Sequence, residues 1–438
     1  MARRKSAPQV HEVTIDAMSH EGRGIAHING KTVFVFGALK GERVRIQVDQ
    51  RRRKFDQATT LEVLEGSPQR IEPRCAAFEL CGGCSLQHLS ADDQVEFKQQ
   101  SLLEMMDHAG LAYDQVLPAL RGPVWEYRNK ARLGVKYVAK KERVLVGFRE
   151  RNSPFIADMA RCEVLITKVG QQLDKIAEMI GRMDARARIP QIEVAADSAG
   201  IQLVFRHLDS LSARDLEILT EFGQAEDFMI QLQPGGPESV HALWPAEQDL
   251  WLEPLAPDPP KIGFNALDFV QVNREINQQM VSQALRLLDL KAEDQVLDLF
   301  CGLGNFTLPM ALLCRQVTGV EGDAAMVERA RESAKCNAIG NTTYHVADLS
   351  QPDRDWRWMR NQYHKILLDP PRSGAAEIAR EISNFKASLI AYVSCQPSSL
   401  VRDAAIICNQ GYRMTHVGVM DMFPQTAHVE SMAVFSAK

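Results

Sequence analysis

Short runs of alternating apolar and polar residues dominate residues 11–66. The segments VTIDAM, TVFVF, RVRIQV and ATTLEVL are apolar or have the period of two that is typical of β-strands. Glycines separate them, and Asn29-Gly30 stands between two such runs, which is a strong signal for a tight hairpin. Strands this short and this frequent predict an OB-like barrel of about five strands.

The middle of the chain, residues 117–260, mixes strand and helix patterns. Strand-like segments such as ARLGVKYV, RVLVGFR and GIQLVFRH alternate with helical patterns near 163–182 and 212–224, and a further helix is predicted over 92–110. No motif distinguishes this region. It is predicted to be a central α+β domain.

The hydrophobic pattern changes after residue 261, where strand-like segments alternate regularly with helical ones. The segments QVLDLF, QVTGVE, TYHVAD, KILLDPP and LIAYVS read as strands. The helices are predicted at 273–289, 305–313, 323–338, 375–383 and 397–410. Alternation of this kind predicts a doubly wound, mostly parallel, Rossmann-like sheet. Linker-like stretches at Ser67–Pro73 and Pro254–Pro260 complete a multidomain α/β organisation, with domains predicted at 1–72, 73–260 and 261–438.

Composition excludes several classes of protein. The chain has 438 residues, of which 45% are hydrophobic and 24% charged, as in ordinary globular proteins. No apolar run approaches the roughly 20 residues of a membrane-spanning helix. The amino-terminal MARRKSAPQ is basic but lacks the apolar core of an export signal. Nine unevenly placed cysteines suit a reducing compartment, with thiols used for metal binding or catalysis. We therefore expect a cytoplasmic protein.

The net charge of −5 hides an asymmetry along the chain. Residues 1–162 hold 26 Lys and Arg against 20 Asp and Glu, a balance of +6, whereas the remainder carries −11. The turn RRRK at 51–54 and the stretch 121–151 are strongly basic. A run of charged residues usually forms only a solvent-exposed surface of the protein. Contacts to the phosphates of a nucleic acid, however, also require such local positive charge. Charge alone thus leaves nucleic-acid binding open.

A glycine-containing turn, CGLGNF, follows the first strand of the predicted Rossmann-like sheet. Such a turn lets the backbone approach a ligand closely at a helix amino terminus. Asn305 follows its second glycine, so the third glycine of a dinucleotide fingerprint is missing and a pyrophosphate cradle is not indicated.

Acidic residues end the successive strands of this sheet, at Asp298, Glu321, Asp348 and Asp369. Side chains at strand carboxyl ends face the crevice in which ligands bind, and Glu321 is placed to take a ribose diol. Acidic side chains at strand ends, in a sheet without a phosphate-binding loop, favour a ligand that is a positively charged nucleoside. S-adenosylmethionine is the common ligand of this kind. The series predicts a methyltransferase, with an NAD-binding or degenerate sheet as the alternative.

Cys395, in the segment YVSCQP, marks the end of the next strand just before a helix. A helix amino terminus lowers the pKa of a thiol, which favours a nucleophilic thiolate. Carbon 5 of a pyrimidine is not nucleophilic enough to attack the methyl group of a sulfonium. Addition of a thiolate to carbon 6 makes carbon 5 nucleophilic, so a thiolate beside a methyl donor allows methylation at carbon 5. Cys395 is therefore the predicted nucleophile, with a buried, inert cysteine as the alternative.

That reaction also needs a base that removes the extra proton from carbon 5. Glu430, in the segment HVESM, leads the apolar strand near the carboxyl terminus and is the predicted base. His428 is the second candidate. Spacing along the chain does not place either residue near Cys395.

A cluster of cysteines at 75, 81 and 84 surrounds a Gly-Gly turn, and Cys162 is the next cysteine along the chain. Four thiolates bind zinc or an iron–sulfur cluster equally well by ligand count. Zinc sites usually come as paired C-x2-C knuckles, whereas this arrangement is three ligands plus one distant ligand, which favours a 4Fe-4S cluster.

These motifs together resemble the bacterial 23S rRNA (uracil-C5)-methyltransferases of the RlmD type. The resemblance covers nearly the whole chain and includes EGRGIA, VFVFGALKGE and SPQR in the barrel, which it identifies as a TRAM domain. It implies S-adenosylmethionine as methyl donor, a 4Fe-4S cluster and a flipped uracil of 23S rRNA as substrate, with no membrane and no obligate protein partner. The family usually has SCNP where this chain has Gln396 in SCQP.

The resemblance also implies specific residue roles. Cys395 falls on the nucleophile and Glu430 on the base. The implied cluster ligands are Cys75, Cys81, Cys84 and Cys162. The implied cofactor contacts are Gln271, Phe300, Asn305, Glu321, Asp348 and Asp369. A uracil-C5 methyltransferase of another rRNA or tRNA uracil, and a non-catalytic RNA-binding iron–sulfur protein, remain the alternatives.

Overall fold

The computed structural model describes residues 9–198, 200–246, 249–255, 257 and 260–438, which divide into two compact units. The first unit comprises residues 9–101, 148–157 and 424–428. The second unit comprises the remaining described residues. The basic amino-terminal residues 1–8 and part of the proline-rich stretch 254–260 lie outside the described residues. The division into three domains stays a prediction.

A six-stranded sheet forms the core of the first unit. Its strands are β1 (Gln9–Thr14), β2 (Ala17–Met18), β3 (Gly24–Ile28), β4 (Lys31–Phe36), β5 (Arg43–Arg51) and β6 (Phe55–Glu65), in the order β1-β5-β6-β4-β3-β2. The expectation of about five strands missed the two-residue β2, because a strand this short has no readable alternation. The Asn29-Gly30 hairpin is confirmed, since both residues have positive φ and Ile28 pairs with Lys31.

Apolar residues of these strands and of the turns between them form one cluster. Its fully or almost fully buried members are Ile15, Ala26, Val33, Val35, Ala38, Val44, Ile46 and Ala58. Burial of this cluster stabilises the sheet, because each fully buried aliphatic side chain contributes about 1.5–3 kcal/mol.

A second six-stranded sheet lies within the second unit, whereas the helix α1 that precedes it has residues in both units. The elements before and within it are α1 (Ala91–His108), β7 (Tyr113–Val116), β8 (Lys130–Val138), β9 (Arg143–Gly147), α2 (Thr167–Gly170), α3 (Leu173–Gly181), β10 (Gln191–Ala196), β11 (Ile201–Arg206), α4 (Ala213–Glu226), β12 (Met229–Gln233) and β13 (His241–Trp244). The sheet has the order β13-β12-β11-β10-β8-β9. The helix predicted over 163–182 is two helices. The first helix ends at Gly170 because the Gly170 carbonyl accepts a hydrogen bond of 2.7 Å from the Cys162 amide. The Asp174 amide, which would bond to Gly170 in a continuous helix, donates to the Ala160 carbonyl instead.

The second unit also contains an eight-stranded sheet of the predicted doubly wound type. Its elements and the small hairpin before it are β14 (Leu250–Leu252), β15 (Ile262–Phe264), α5 (Arg274–Leu288), β16 (Gln295–Leu299), α6 (Thr307–Ala311), β17 (Gln316–Glu321), α7 (Ala324–Cys336), β18 (Thr342–Val346), β19 (Lys365–Leu368), α8 (Ala376–Ala379), β20 (Leu389–Ser394), α9 (Pro397–Asn409), β21 (Tyr412–Met420) and β22 (Glu430–Ala437). The order is β18-β17-β16-β19-β20-β22-β21-β7.

Strand direction in this sheet decides where its functional residues lie. Strands β16 to β20 are mutually parallel, so their carboxyl ends share one edge of the sheet. β22 runs antiparallel to β20, so its amino end lies at that same edge. The edge strand β7 comes from outside the segment 261–438 and pairs with β21. No helix in the described part of the chain has the length and apolar character needed to cross a membrane.

Candidate active site

Three of the predicted acidic residues meet at the carboxyl edge of the parallel strands. Asp298 on β16 is fully buried, and its Oδ2 accepts a hydrogen bond from the Thr307 hydroxyl, whereas its Oδ1 has no partner among the described residues. Burial and the nearby Asp369 and Glu321 carboxylates raise the pKa of Asp298 to about 8. Burial and Glu321 likewise raise the pKa of Asp369 to about 7. The edge thus gathers buried carboxyl groups that disfavour one another's ionised forms, and a bound cation would stabilise those ionised forms.

The glycine-containing turn after β16 wraps around the third of these acids. The amides of Phe300 and Cys301 donate to the Val320 carbonyl at 2.8 and 3.1 Å, and the Gly302 amide donates to Glu321 Oε2 at 3.1 Å. Phe300 and Gly302 have φ values of 64° and 53°, in the left-handed region. A Cβ at Gly302 would meet nothing within 4 Å, so its conformation and not crowding is what favours glycine.

The other predicted cofactor residues have differing surroundings. The amide groups of Asn305 and Asn277 donate to each other at 2.9 Å in both directions, which fixes Asn305 at the start of the helix after the turn. Gln271 is buried, whereas Asp348 is exposed just beyond β18. Hydrogen bonds from the side chain and amide of Ser350 lower the pKa of Asp348.

Cys395 and Glu430 come together through the pairing of β20 with β22. Ser394 pairs with Ser431 in the antiparallel register, so Cys395, the residue after β20, and Glu430, the first residue of β22, lie at the same end of the strand pair. Cys395 is partly buried at the start of α9, and Glu430 is 2% exposed. Burial and Asp369 raise the pKa of Glu430 well above its ordinary value. The structure thus brings the predicted nucleophile and the predicted base to the acidic edge.

The thiol of Cys395 does not have the lowered pKa expected at a helix amino terminus. Burial and the Glu430 and Asp369 carboxylates raise its pKa to about 11, against the opposing effect of the Arg372 guanidinium. The helix dipole acts with about half a charge, so two nearby carboxylates and desolvation outweigh it. Arg372, which sequence reasoning noted only as a variation in the DPPR turn, is therefore a charged member of the site.

A buried aspartate, Asp403 on α9, holds the turn that carries Arg372. Its Oδ2 accepts hydrogen bonds of 2.6 Å from the Tyr392 hydroxyl and from the Ala375 amide. Gly374 has φ +78°, and a Cβ there would lie 2.5 Å from Asp403 Oδ2. Asp403 thus joins the strand before Cys395 to the turn after Asp369. Sequence reasoning missed it because an aspartate inside a helix carries no motif.

Lys130 at the start of β8 holds the segment before α5. Its ammonium donates to the carbonyls of Ala266, at 2.8 Å, and Asp268. The side chain of Asp268 also pairs with Arg329 at 2.6 Å. This segment contains Gln271 and the 71% exposed ring of Phe269. The segment that contains Gln271, a predicted cofactor contact, is therefore held in place by Lys130 and Arg329.

Comparison with known proteins decides the family. A family model described as tRNA (Uracil-5-)-methyltransferase matches residues 261–438, and a TRAM domain model matches residues 8–61. The 23S rRNA (uracil(1939)-C(5))-methyltransferase RlmD of Xanthomonas campestris is 48% identical over 432 residues, covering 98% of this chain and 97% of the relative. RlmD of Nitrosococcus oceani is 48% identical over 437 residues, covering 99% and 97%. This chain belongs to the RlmD family.

Among solved structures, the Pyrococcus abyssi tRNA (uracil-54, C5)-methyltransferase in complex with S-adenosyl-L-homocysteine has a similar fold. The TM-score is 0.76 at 21% identity, over 97% of this chain and 99% of that one. At this identity the similarity concerns the fold. The RlmD-family chain is a methyltransferase with an amino-terminal TRAM domain and a Rossmann-like sheet, as its sequence pattern predicts.

The predicted metal ligands of this RlmD-family chain fall in both units. Cys75, Cys81 and Cys84 lie on one loop of the first unit, and Cys162 is buried in the second unit. The Gly83 amide points at Cys81 Sγ at 3.4 Å. Within the described residues, no group of three or more His, Cys, Asp or Glu side chains is arranged to hold a metal ion.

Arg151 organises the cysteine loop, which we define as residues 75–84. Its guanidinium donates to the carbonyls of Phe78 at 2.7 Å, Cys81 at 3.1 Å and Cys84 at 3.3 Å. The same group lies 3.0 Å from the ring centroid of Phe36. Desolvation by burial lowers the pKa of Arg151 to about 10. The last cation of the basic stretch 121–151 is therefore a structural residue of the first unit.

Cations of the TRAM sheet are divided between ion pairs and open surface. Lys31 contacts Asp56 at 2.6 Å, and Arg43 and Arg45 pair with glutamates of neighbouring strands. Arg53 and Lys54, in the turn between β5 and β6, are exposed and make no ion pair within the described residues. This turn therefore presents positive charge that no ion pair within the described residues neutralises.

Proposed function

We propose that this protein transfers a methyl group from S-adenosylmethionine to carbon 5 of uracil 1939 in 23S rRNA. The observation that carries the proposal is the pairing of β20 with β22, whose ends bring Cys395 and Glu430 together at the acidic edge of the sheet. Full-length similarity to RlmD enzymes supports the choice of rRNA. The expected cytoplasmic location rests on this substrate.

The acidic edge fits S-adenosylmethionine, whose sulfonium and amino groups are positive. The unpartnered, buried Oδ1 of Asp298 lacks a donor that such a ligand would provide. The proposed cofactor contacts are Gln271, Phe300, Asn305, Glu321, Asp348 and Asp369. Glu321, fixed by the turn, would accept from the ribose hydroxyls. When bound, the cofactor supplies an electrophilic methyl group.

Cys395 is the proposed nucleophile. Its sulfur forms a bond to carbon 6 of uracil, and the electrons of the carbon 5–carbon 6 double bond move toward the ring carbonyl at carbon 4. Carbon 5 thereby becomes nucleophilic enough to accept a methyl group. The thiol gives its proton to solvent water before this addition, and Arg372 assists because its positive charge lowers the pKa of Cys395.

Glu430 is the proposed base of the second half of the reaction. It takes the proton from carbon 5, the double bond re-forms, and the carbon–sulfur bond breaks to release the Cys395 thiolate. A carboxylate whose pKa is raised by burial is a stronger base than an exposed one.

The RNA is proposed to bind through phosphate contacts on the TRAM sheet, including Arg53 and Lys54, and on the basic stretch 121–151 apart from Arg151. The target uracil is proposed to be flipped out of its stack, because its ring is not accessible inside one. Phe269, exposed on the loop that Lys130 holds, is a proposed stacking surface at the catalytic edge. No obligate protein partner is implied.

A 4Fe-4S cluster bound by Cys75, Cys81, Cys84 and Cys162 is proposed as a second cofactor. In its favour, three thiols share one loop, and the Gly83 amide is directed at the Cys81 sulfur, as is common around iron–sulfur ligands. The three-plus-one ligand spacing favours this cluster over zinc. Iron and acid-labile sulfide analysis of protein purified without oxygen tests it; stoichiometric zinc with no sulfide contradicts it.

The test of the activity is methylation of 23S rRNA that lacks uracil methylation, with labelled S-adenosylmethionine, followed by mapping of the modified base. We expect one labelled position, at uracil 1939. Fully modified 23S rRNA is the matched control and should take up no label. Label in tRNA but not in 23S rRNA would contradict the proposed substrate, and no label in any RNA would contradict the proposed reaction.

A further inference from the structure

A short hairpin of the first unit, residues 148–157, presents an aromatic ring at its tip. The Glu150 amide donates to the Phe155 carbonyl, and the Ala157 amide donates to the Phe148 carbonyl, each at 2.9 Å. The Phe155 amide donates to Ser153 Oγ at 3.1 Å, which fixes the turn. The main chain on both sides of Phe155 is therefore held by hydrogen bonds.

The cysteine loop anchors this hairpin. Cys81 and Glu150 form an antiparallel bridge, the Gly82 amide donates to the Arg149 carbonyl at 2.9 Å, and the Arg151 amide donates to the Leu80 carbonyl at 3.0 Å. A Cβ at Gly82 would come within 3.2 Å of that Arg149 carbonyl, so the close contact favours glycine. The hairpin and the cysteine loop form one rigid substructure.

The ring of Phe155 is 69% exposed although its backbone is fixed. Arg149, which is exposed on the same hairpin, makes no ion pair within the described residues. Arg149 pairs with Ile156 and Glu150 lies opposite Phe155, so the cation belongs to the same hairpin but not to the pair that contains the ring. A fixed, exposed aromatic ring is a surface on which an unpaired nucleobase can stack, and an exposed cation of the same hairpin can contact a phosphate of that RNA.

We propose that Phe155 stacks on an unpaired base of the RNA substrate, so that the cysteine loop serves as the scaffold of an RNA-binding hairpin. The proposal rests on the proposed function for the identity of the substrate. It concerns binding of RNA in the first unit and not the chemistry at Cys395. It also gives the cysteine loop a role in RNA recognition that depends on its rigidity.

The test compares full-length F155A, F155W and L312A proteins in binding to a fragment of 23S rRNA around uracil 1939. Leu312 is an exposed apolar side chain of the second unit, 56% accessible, and serves as the matched control. We expect F155A to weaken RNA binding by roughly 5- to 150-fold, since stacking on an aromatic ring accounts for that range per base. F155W should retain the affinity, and L312A should leave it unchanged.

Two further readouts separate stacking from other effects. The dependence of RNA affinity on salt should keep its slope in F155A, because stacking releases no counterions. The F155A protein should bind S-adenosylmethionine with the affinity of the unchanged protein. The metal content of its cysteine loop should also equal that of the unchanged protein. Affinity of F155A equal to that of the unchanged protein overturns the proposal and points to a protein contact instead. A loss that F155W does not restore, or that L312A shares, also overturns it.

Failure of the proposed function would look different. If the unchanged protein does not bind or methylate 23S rRNA, the substrate assignment is wrong, whatever the F155A result. If the unchanged protein methylates uracil 1939 while F155A binds and methylates as well as it does, only the stacking proposal is wrong.

Discussion

The Ser431 hydroxyl donates a hydrogen bond of 3.2 Å to the main-chain carbonyl of Ser394. The two residues are also paired in the register of β20 and β22. Residues directly opposite each other in an antiparallel pair project to the same face, with Cβ atoms roughly 5 Å apart. This one pairing therefore fixes the relation between Cys395, one residue after Ser394, and Glu430, one residue before Ser431.

Replacement of Cys395 by alanine should abolish methyl transfer. The sulfur is the atom that makes carbon 5 of uracil nucleophilic, whereas none of the proposed cofactor contacts is removed. Turnover of C395A should fall below detection, and isothermal titration should show unchanged binding of S-adenosylmethionine. Methylation of 23S rRNA by C395A at a measurable rate would exclude the nucleophile assignment.

Replacement of Glu430 by glutamine should trap the covalent intermediate. Without a base the proton stays on carbon 5, so the carbon–sulfur bond does not break. We expect a protein–RNA adduct in E430Q that survives denaturing electrophoresis, and no adduct in the double variant C395A/E430Q. If E430Q turns over normally, or stalls without an adduct, the base lies elsewhere.

Removal of the positive charge at Arg372 should change the pH dependence of the reaction. The pKa of Cys395 is raised to about 11, so the thiolate fraction, and with it kcat/KM, should increase with pH across the neutral range. Arg372 lowers that pKa, so R372M should raise it and move the rising limb to higher pH. At neutral pH the thiolate fraction, and therefore kcat/KM, falls about tenfold whenever the pKa of the thiol rises by about one.

The matched control for this variant is R380M. Arg380 is exposed on the surface after α8 and pairs with Glu377. Its replacement should leave the pH profile unchanged. Profiles of R372M and the unchanged protein that coincide from pH 6 to 9 would show that Arg372 does not act on the thiol.

Loss of the Tyr392 hydroxyl should destabilise the protein and loosen the turn of Arg372. The hydroxyl donates to the buried Asp403 at 2.6 Å, and a hydrogen bond to a charged group contributes about 1.5–3 kcal/mol. Y392F should reduce the free energy of unfolding by that amount in urea denaturation. An unchanged denaturation midpoint would mean that the pair contributes no net stability.

Neutralisation of Lys130 should weaken cofactor binding without direct contact to the cofactor. In K130M the carbonyls of Ala266 and Asp268 lose their shared donor, so the loop that carries Gln271 is less ordered in the free protein. We expect the Kd for S-adenosylmethionine to increase by about tenfold, the cost of about one hydrogen bond to a charged group. K335M, which replaces an exposed lysine on α7, is the control and should bind normally.

Several features of the molecule follow from local sequence. The Asn29-Gly30 hairpin, the alternation of strands and helices after residue 261 and the turn around Gly302 are all predictable from it. Each depends on the preferences of residues near one another in the chain, such as glycine at positive φ and apolar residues at regular spacing. Asp298, Glu321 and Asp369 can be assigned to one edge because parallel strands end together.

The tertiary structure alone decided what depends on contacts between distant segments. The sequence identifies Cys395 and Glu430 separately, but their juxtaposition requires that the last strand insert antiparallel beside β20. In the sequence Arg151 is one more cation of a basic stretch, and only its hydrogen bonds to the cysteine loop show a structural role. The helix after Cys395 predicts a low pKa for its thiol, yet burial beside two carboxylates raises it. Local patterns specify elements and candidate chemistry, whereas register and electrostatic surroundings arise from residues far apart in the chain.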